Sequence, residues 1–102
     1  MVYSFLLNKL LELDIIKYLE KTGISIKSIS IFELPYLKFR PADIFITCQK
    51  YEDSNPIVKA LNIHKIVITS RFPEFCVPSE WLTYIYMPID YAELANLINS
   101  LI

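Results

Sequence analysis

Short β-rich apolar runs separated by stretches of helical period predict an α/β domain, a five-stranded parallel sheet with helices on both faces and shortened central helices. Three observations carry that expectation. The runs 43–48 (DIFITC) and 64–70 (HKIVITS) are almost continuously apolar, as strands buried on both faces are. Helix-start signals at Asn8, Asn55-Pro56 and Asp90 follow on such runs. Pro35, Pro41, Pro73 and Pro78 interrupt the segments between the middle strands, so any helix there is one or two turns.

Residues 2–7, VYSFLL, read as the first buried strand. From Asn8 the period becomes helical. Leu11, Ile15, Ile16, Tyr18 and Leu19 share one face, and Glu12, Asp14, Lys17, Glu20 and Lys21 lie around the other. Asn8 suits the N-cap, and Gly23, the only glycine, falls where a left-handed C-cap is needed. Leu10 and Leu13 fall toward the polar side, where packing beneath a loop is preferred over a partner-facing patch.

Residues 24–32, ISIKSISIF, alternate as a half-buried strand does. A slip of phase between Ile26 and Ile29 suggests a bulge or a strand end. After the strand at 43–48, Asn55 caps a helix with Pro56 in its first position, running to Leu61. Residues 64–70 and 83–87 supply the last two strands. Asp90-Tyr91-Ala92-Glu93 is a capping box that opens a helix to the end, with Leu94, Leu97, Ile98 and Leu101 on its inner face. Strands alternating with helices imply right-handed crossovers, and this number of strands in 102 residues has the size of a flavodoxin-like domain, one domain over 1–102.

Composition excludes several function classes. A net charge of −1 argues against a nucleic-acid or anionic-membrane surface, because neither is held without a basic patch. No apolar run reaches the roughly 20 residues needed to span a bilayer. The N-terminal stretch lacks the basic start of a signal peptide, and acids and lysines interrupt it. Two cysteines match no zinc spacing and are too few for a disulfide scaffold, so a reduced cytoplasmic protein is the simplest expectation, with a 48–76 disulfide as the alternative. A single glycine cannot build a Walker loop or a dinucleotide fingerprint. No cofactor and no metal are expected.

Four places in the chain resemble the receiver domains of two-component response regulators. Phe5-Leu6-Leu7-Asn8, followed by Gly23, has the spacing between that family's acidic pair and the end of its first helix. Asp43-Ile44-Phe45-Ile46-Thr47-Cys48 is similar to the strand that ends on the phosphoacceptor aspartate. Ile66-Val67-Ile68-Thr69-Ser70 places Thr69 at the switch hydroxyl, and Tyr86-Met87-Pro88-Ile89-Asp90 resembles the lysine-proline end of the fifth strand. The resemblance implies that Leu6 and Leu7 occupy the acidic-pair positions, Cys48 the acceptor and Met87 the lysine, leaving only Thr69 in place. Phosphoryl transfer needs a carboxylate nucleophile, oxygen ligands for a divalent cation and a cation on the phosphoryl oxygens. The implied domain is therefore a degenerate receiver, not phosphorylated in the usual way, with an apolar pocket where charge should be.

Cys48 ends a strand at the edge where chemistry sits in parallel sheets. As a nucleophile it would need a neighbouring base, but His64, the only histidine, opens or precedes the fourth strand and lies at the opposite edge. A small apolar filler is the preferred reading. His64 reads as a loop residue and Cys76 as packing. Thr69 and Ser70 could bind an anion, although strands commonly end on hydroxyls. Phe72, Phe75, Trp81, Tyr84, Tyr86 and Tyr91 either cover the sheet where a helix is shortened or form an exposed interaction surface, and the sequence leaves both open. The expected function is non-catalytic, phosphorylation-independent protein–protein interaction, with a protein partner or a homodimer. Against it stand a small thiol-dependent enzyme or phosphocarrier using Cys48, and a small-ligand sensor at the sheet edge.

Overall fold

In the computed structural model, which describes residues 1–102, the sequence period switches become one sheet with two unlike faces. The strands are β1 (Val2–Phe5), β2 (Ile26–Ser28), β3 (Ile44–Cys48), β4 (His64–Thr69) and β5 (Leu82–Tyr86). They lie in the order β2-β1-β3-β4-β5, and every pairing is parallel. This is the flavodoxin-like arrangement expected from the alternation of elements. The helices are α1 (Lys9–Lys21), α2 (Gln49–Ser54), α3 (Pro56–Lys59) and α4 (Tyr91–Leu101), with 3-10 turns at Leu34–Tyr36 and Pro73–Phe75.

The period-two alternation along each strand sorts the core into two layers. Val2, Ile44, Ile46, Ile66, Ile68 and Ile85 face α1 and α4, which contribute Ile15, Leu19, Leu94 and Ile98. Phe5 and Phe45 face the other way, against Ile29, Leu34, Val58 and Ile63. The first layer is aliphatic and covered by two regular helices. The second is aromatic and covered by short pieces, and Tyr51 of α2 stacks on Phe5 with ring centroids 4.4 Å apart.

The ends of α1 follow from its flanking residues. Asn8 Oδ1 accepts a hydrogen bond from Leu11 N at 3.1 Å. At the other end Gly23 adopts φ +86°, Gly23 N donates to Glu20 O at 3.1 Å and Ile24 N donates to Leu19 O at 2.9 Å. That pair of bonds turns the chain out of the helix and drops Ile24 into the core. Asn55 Oδ1 caps α3 by accepting from Ile57 N and Val58 N, and Asp90 Oδ1 caps α4 by accepting from Glu93 N at 3.1 Å. The Met87–Pro88 peptide bond is cis.

Several sequence expectations are corrected. β2 spans three residues rather than 24–32, and the chain leaves the sheet after Ser28 while Ile29 turns into the second core layer. Residues 49–54 form a helix that apolar periodicity did not mark, because QKYEDS carries a single apolar side chain, Tyr51. Glu12, expected on the polar side of α1, is buried. Ser4, a small hydroxyl on β1, leaves room beneath the helix and donates to Glu12 Oε2 at 2.7 Å, and Lys9 Nζ approaches the other oxygen at 3.2 Å. Leu10 and Leu13 are exposed instead of lying under a loop. His64 is the first residue of β4, not a loop residue.

Beneath α2 and α3 lies a buried cation. Lys65 of β4 is 6% exposed. Its Nζ donates to Glu52 Oε2 at 2.8 Å, to Glu52 Oε1 at 3.0 Å and to the Val58 carbonyl at 3.1 Å. A buried ammonium is tolerated only with such a set of acceptors.

Two stability changes are expected. Lys65→Met leaves the Glu52 carboxylate without its partner and should cost about 3 kcal/mol in urea unfolding. Gly23→Ala meets no neighbouring atom, so its cost should be that of left-handed backbone alone, about 1 kcal/mol. A loss for Gly23→Ala as large as that for Lys65→Met would contradict this account.

Candidate functional site

The carboxyl ends of β1, β3 and β4 open onto one cleft of about 680 Å³, the crevice position that parallel sheets offer to ligands. Leu7, Cys48, Ile68 and Thr69 line it from the sheet side. Three of the five receiver-like positions therefore meet there, and two do not. Leu6 points into the aliphatic core at 1% exposure, and Met87 lies beyond the end of β5, exposed and outside the cleft.

The cleft is not simply apolar, which corrects the expectation of a site emptied of charge. Gln49, Lys50, Asp53 and Arg71 also line it. Gln49 and Asp53 are one turn apart on α2, so Gln49 Nε2 donates to Asp53 Oδ1 at 2.9 Å. The Arg71 guanidinium donates to Asp53 Oδ2 across the cleft. Arg71 N donates in turn to Thr69 Oγ1 at 3.1 Å. The Thr69 hydroxyl is thus an acceptor for the loop that follows β4, and that loop's arginine is tied to α2. Gln49 Oε1 is buried without a hydrogen-bond partner.

This arrangement limits the chemistry. No group of three His, Cys, Asp or Glu side chains gathers to hold a metal ion. The lone carboxylate, Asp53, is already engaged by a guanidinium and an amide. Cys48 packs against the aliphatic core from the end of β3, and its side chain makes no cap bond at the start of α2. Strand register puts Ile44 beside His64 and Cys48 beside Ile68, so the histidine sits at the amino edge and the thiol at the carboxyl edge. His64 Nε2 instead lies 2.8 Å from Thr83 Oγ1. Both cysteines are free thiols. No helix is long and apolar enough to cross a membrane.

The aromatic set divides. Phe72 and Phe75 are each 69% exposed and Trp81 is 55% exposed, around the turn that stands where a longer helix would cover β5. Within the same connection Cys76 is buried, at 5% exposure. Burial first, and the Cys76 thiol second, raise the Tyr84 phenol above its usual range. Tyr86 is partly exposed beside Met87. Tyr91 belongs elsewhere, packed on Tyr18 of α1 with centroids 5.4 Å apart.

The residues that sequence reasoning missed are Gln49, Lys50, Asp53 and Arg71. Their signal was an amide–carboxylate pair at helical spacing directly after an apolar strand, legible only once 49–54 is read as a helix.

Comparison with protein-family models, with curated proteins and with solved structures gives no match.

Burial lowers the His64 pKa below the ordinary imidazole value of 6.5. The unfolded chain then takes up this proton first as pH falls. Stability from the neutral ring is full above about pH 6.5 and is lost as pH drops through the lower folded-state value. Thermal melts between pH 7.5 and 5.5 should therefore fall less steeply for His64→Gln than for the wild type, and an unchanged slope would contradict the partly buried, neutral ring.

Proposed function

We propose that this chain is a non-catalytic, receiver-like interaction domain that self-associates through aromatic side chains over β5, without phosphorylation. The observation that carries the reading is the exposure of Phe72, Phe75 and Trp81 where the β4–β5 connection is reduced to a 3-10 turn. Large rings of this kind supply binding energy at little entropy cost, and they concentrate at contact surfaces.

The cleft supports the phosphorylation-independent part. A receiver must open a place for a divalent cation and a phosphoryl group beside its acceptor. Here Arg71 supplies an internal positive charge to the one carboxylate, and Thr69 accepts from the Arg71 amide. Free thiols at both cysteines fit a reducing, cytoplasmic setting.

A second reading has one observation of its own. The same cleft leaves Gln49 Oε1 without a donor, which suits a small ligand able to hydrogen-bond there after the amide reorients. A thermal-shift screen of small polar metabolites should raise the melting temperature if that is the role.

The main reading is tested in two ways. Incubation with acetyl phosphate and magnesium should leave the intact mass unchanged, and a phosphoryl adduct would refute the phosphorylation-independent part. Sedimentation across micromolar to millimolar concentration should show reversible association. Phe72→Ser with Phe75→Ser should weaken it by at least about tenfold. Undiminished association in that variant would remove the aromatic surface from the reading.

A further inference from the structure

The two edges of the sheet are protected unequally. β2 is three residues long, carries Lys27 at its centre and has that lysine 3.7 Å from Glu33. Short length and an inward or central charge are the usual defences of an edge against further pairing. β5, at the other edge, has five residues, and no charged side chain occurs from Trp81 through Ile89.

Hydrogen-bond alternation fixes which backbone groups of β5 are used. Lys65 N donates to Trp81 O at 2.9 Å, and Met87 N donates to Thr69 O at 2.9 Å. With Lys65 beside Leu82 and Thr69 beside Tyr86, the parallel ladder engages the backbone of residues 81, 83, 85 and 87. Leu82 points outward, and a return bend satisfies it: Ser79 N donates to Leu82 O at 3.0 Å and Leu82 N donates to Ser79 O at 3.3 Å. Tyr84 and Tyr86 also point outward. Their amides and carbonyls form the open part of the edge.

We infer that a second copy of this chain completes that edge, β5 pairing antiparallel with β5 across a two-fold axis at Ile85. The inference rests on the self-association reading above and specifies its geometry. In this register Tyr84 of one copy lies opposite Tyr86 of the other, and each such pair exchanges two backbone hydrogen bonds. The two outward residues are used up completely, and the Leu82–Ser79 bend ends the pairing on either side. An isologous contact sets a strand against its own kind, so a charged edge would repel itself. The uncharged stretch 81–89 does not. A foreign strand selected by charge would find nothing here to read. The sheets then join into one ten-stranded layer, with the exposed rings of Phe72, Phe75 and Trp81 flanking the seam.

Three measurements decide it. In the wild type, the Tyr84 and Tyr86 amides should become protected from hydrogen exchange as concentration rises, while remaining fast in the dilute protein. Tyr84→Lys with Tyr86→Lys places like charges opposite one another and should weaken dimerisation by about tenfold or more. Tyr84→Glu with Tyr86→Lys removes the same two rings but places opposite charges across the seam, and it should dimerise more tightly than the double-lysine variant. Circular dichroism of both variants checks that the sheet persists, and the wild-type exchange result stands even where a variant fails to fold. Association with freely exchanging Tyr84 and Tyr86 amides, or equal loss in the two charge variants, overturns edge pairing and leaves the aromatic-surface reading intact. A wild type that stays monomeric into the millimolar range overturns edge pairing and self-association together. A phosphoryl adduct at the cleft bears on the earlier reading and leaves this one standing.

Discussion

A single ammonium group fastens the weaker side of this fold. One face of the sheet is closed by two helices long enough to present whole apolar stripes, which is the ordinary means of burying a sheet. The other is closed by α2 and α3, six and four residues long, too short to be stable on helix propensity or to carry such a stripe. Lys65 compensates. It rises from β4 and takes the Glu52 carboxylate of α2 together with the Val58 carbonyl in the last turn of α3. Both short helices are thereby registered to the same strand residue. The aromatic pairs Phe5–Tyr51 and Phe39–Phe45 add area around that point, but area alone sets no register.

This anchoring decides the character of the cleft. Fixing Glu52 inward turns the next residue, Asp53, toward the carboxyl edge, where Arg71 and Gln49 meet it. A structural ion pair and a site-lining ion pair thus occupy adjacent positions of one short helix. The Arg71 guanidinium thereby ties the loop after β4 to α2. The cleft therefore presents a carboxylate already held by a guanidinium and an amide.

The sequence made the sheet legible because its signals were redundant. β3 and β4 were marked by continuous apolar runs, α1 by period, cap and glycine at once, and α4 by its capping box. Failures came where one polar residue had a tertiary partner far along the chain. Glu12 is inward because Ser4 is small and hydroxylated, a fact about β1 and not about α1. Residues 49–54 are helical although Tyr51 is their one apolar side chain, and the partner that explains Glu52 is Lys65, thirteen positions away. Of the site, Leu7, Cys48 and Thr69 could be placed by strand ends alone. Arg71 and Asp53 could not, because their meeting depends on that same unmarked helix.

The backbone carries one further consequence. Gly23 is the only residue with a positive φ, and no other residue adopts one. The long connections after β2 and β4 keep φ negative throughout, in conformations that ordinary side chains adopt. A positive φ therefore disfavours a side chain at one position in the whole domain, and only mildly. Within such a scaffold, binding surfaces can be rewritten residue by residue while the chain path stays fixed, so divergence in what the domain touches need leave almost no trace in how it folds.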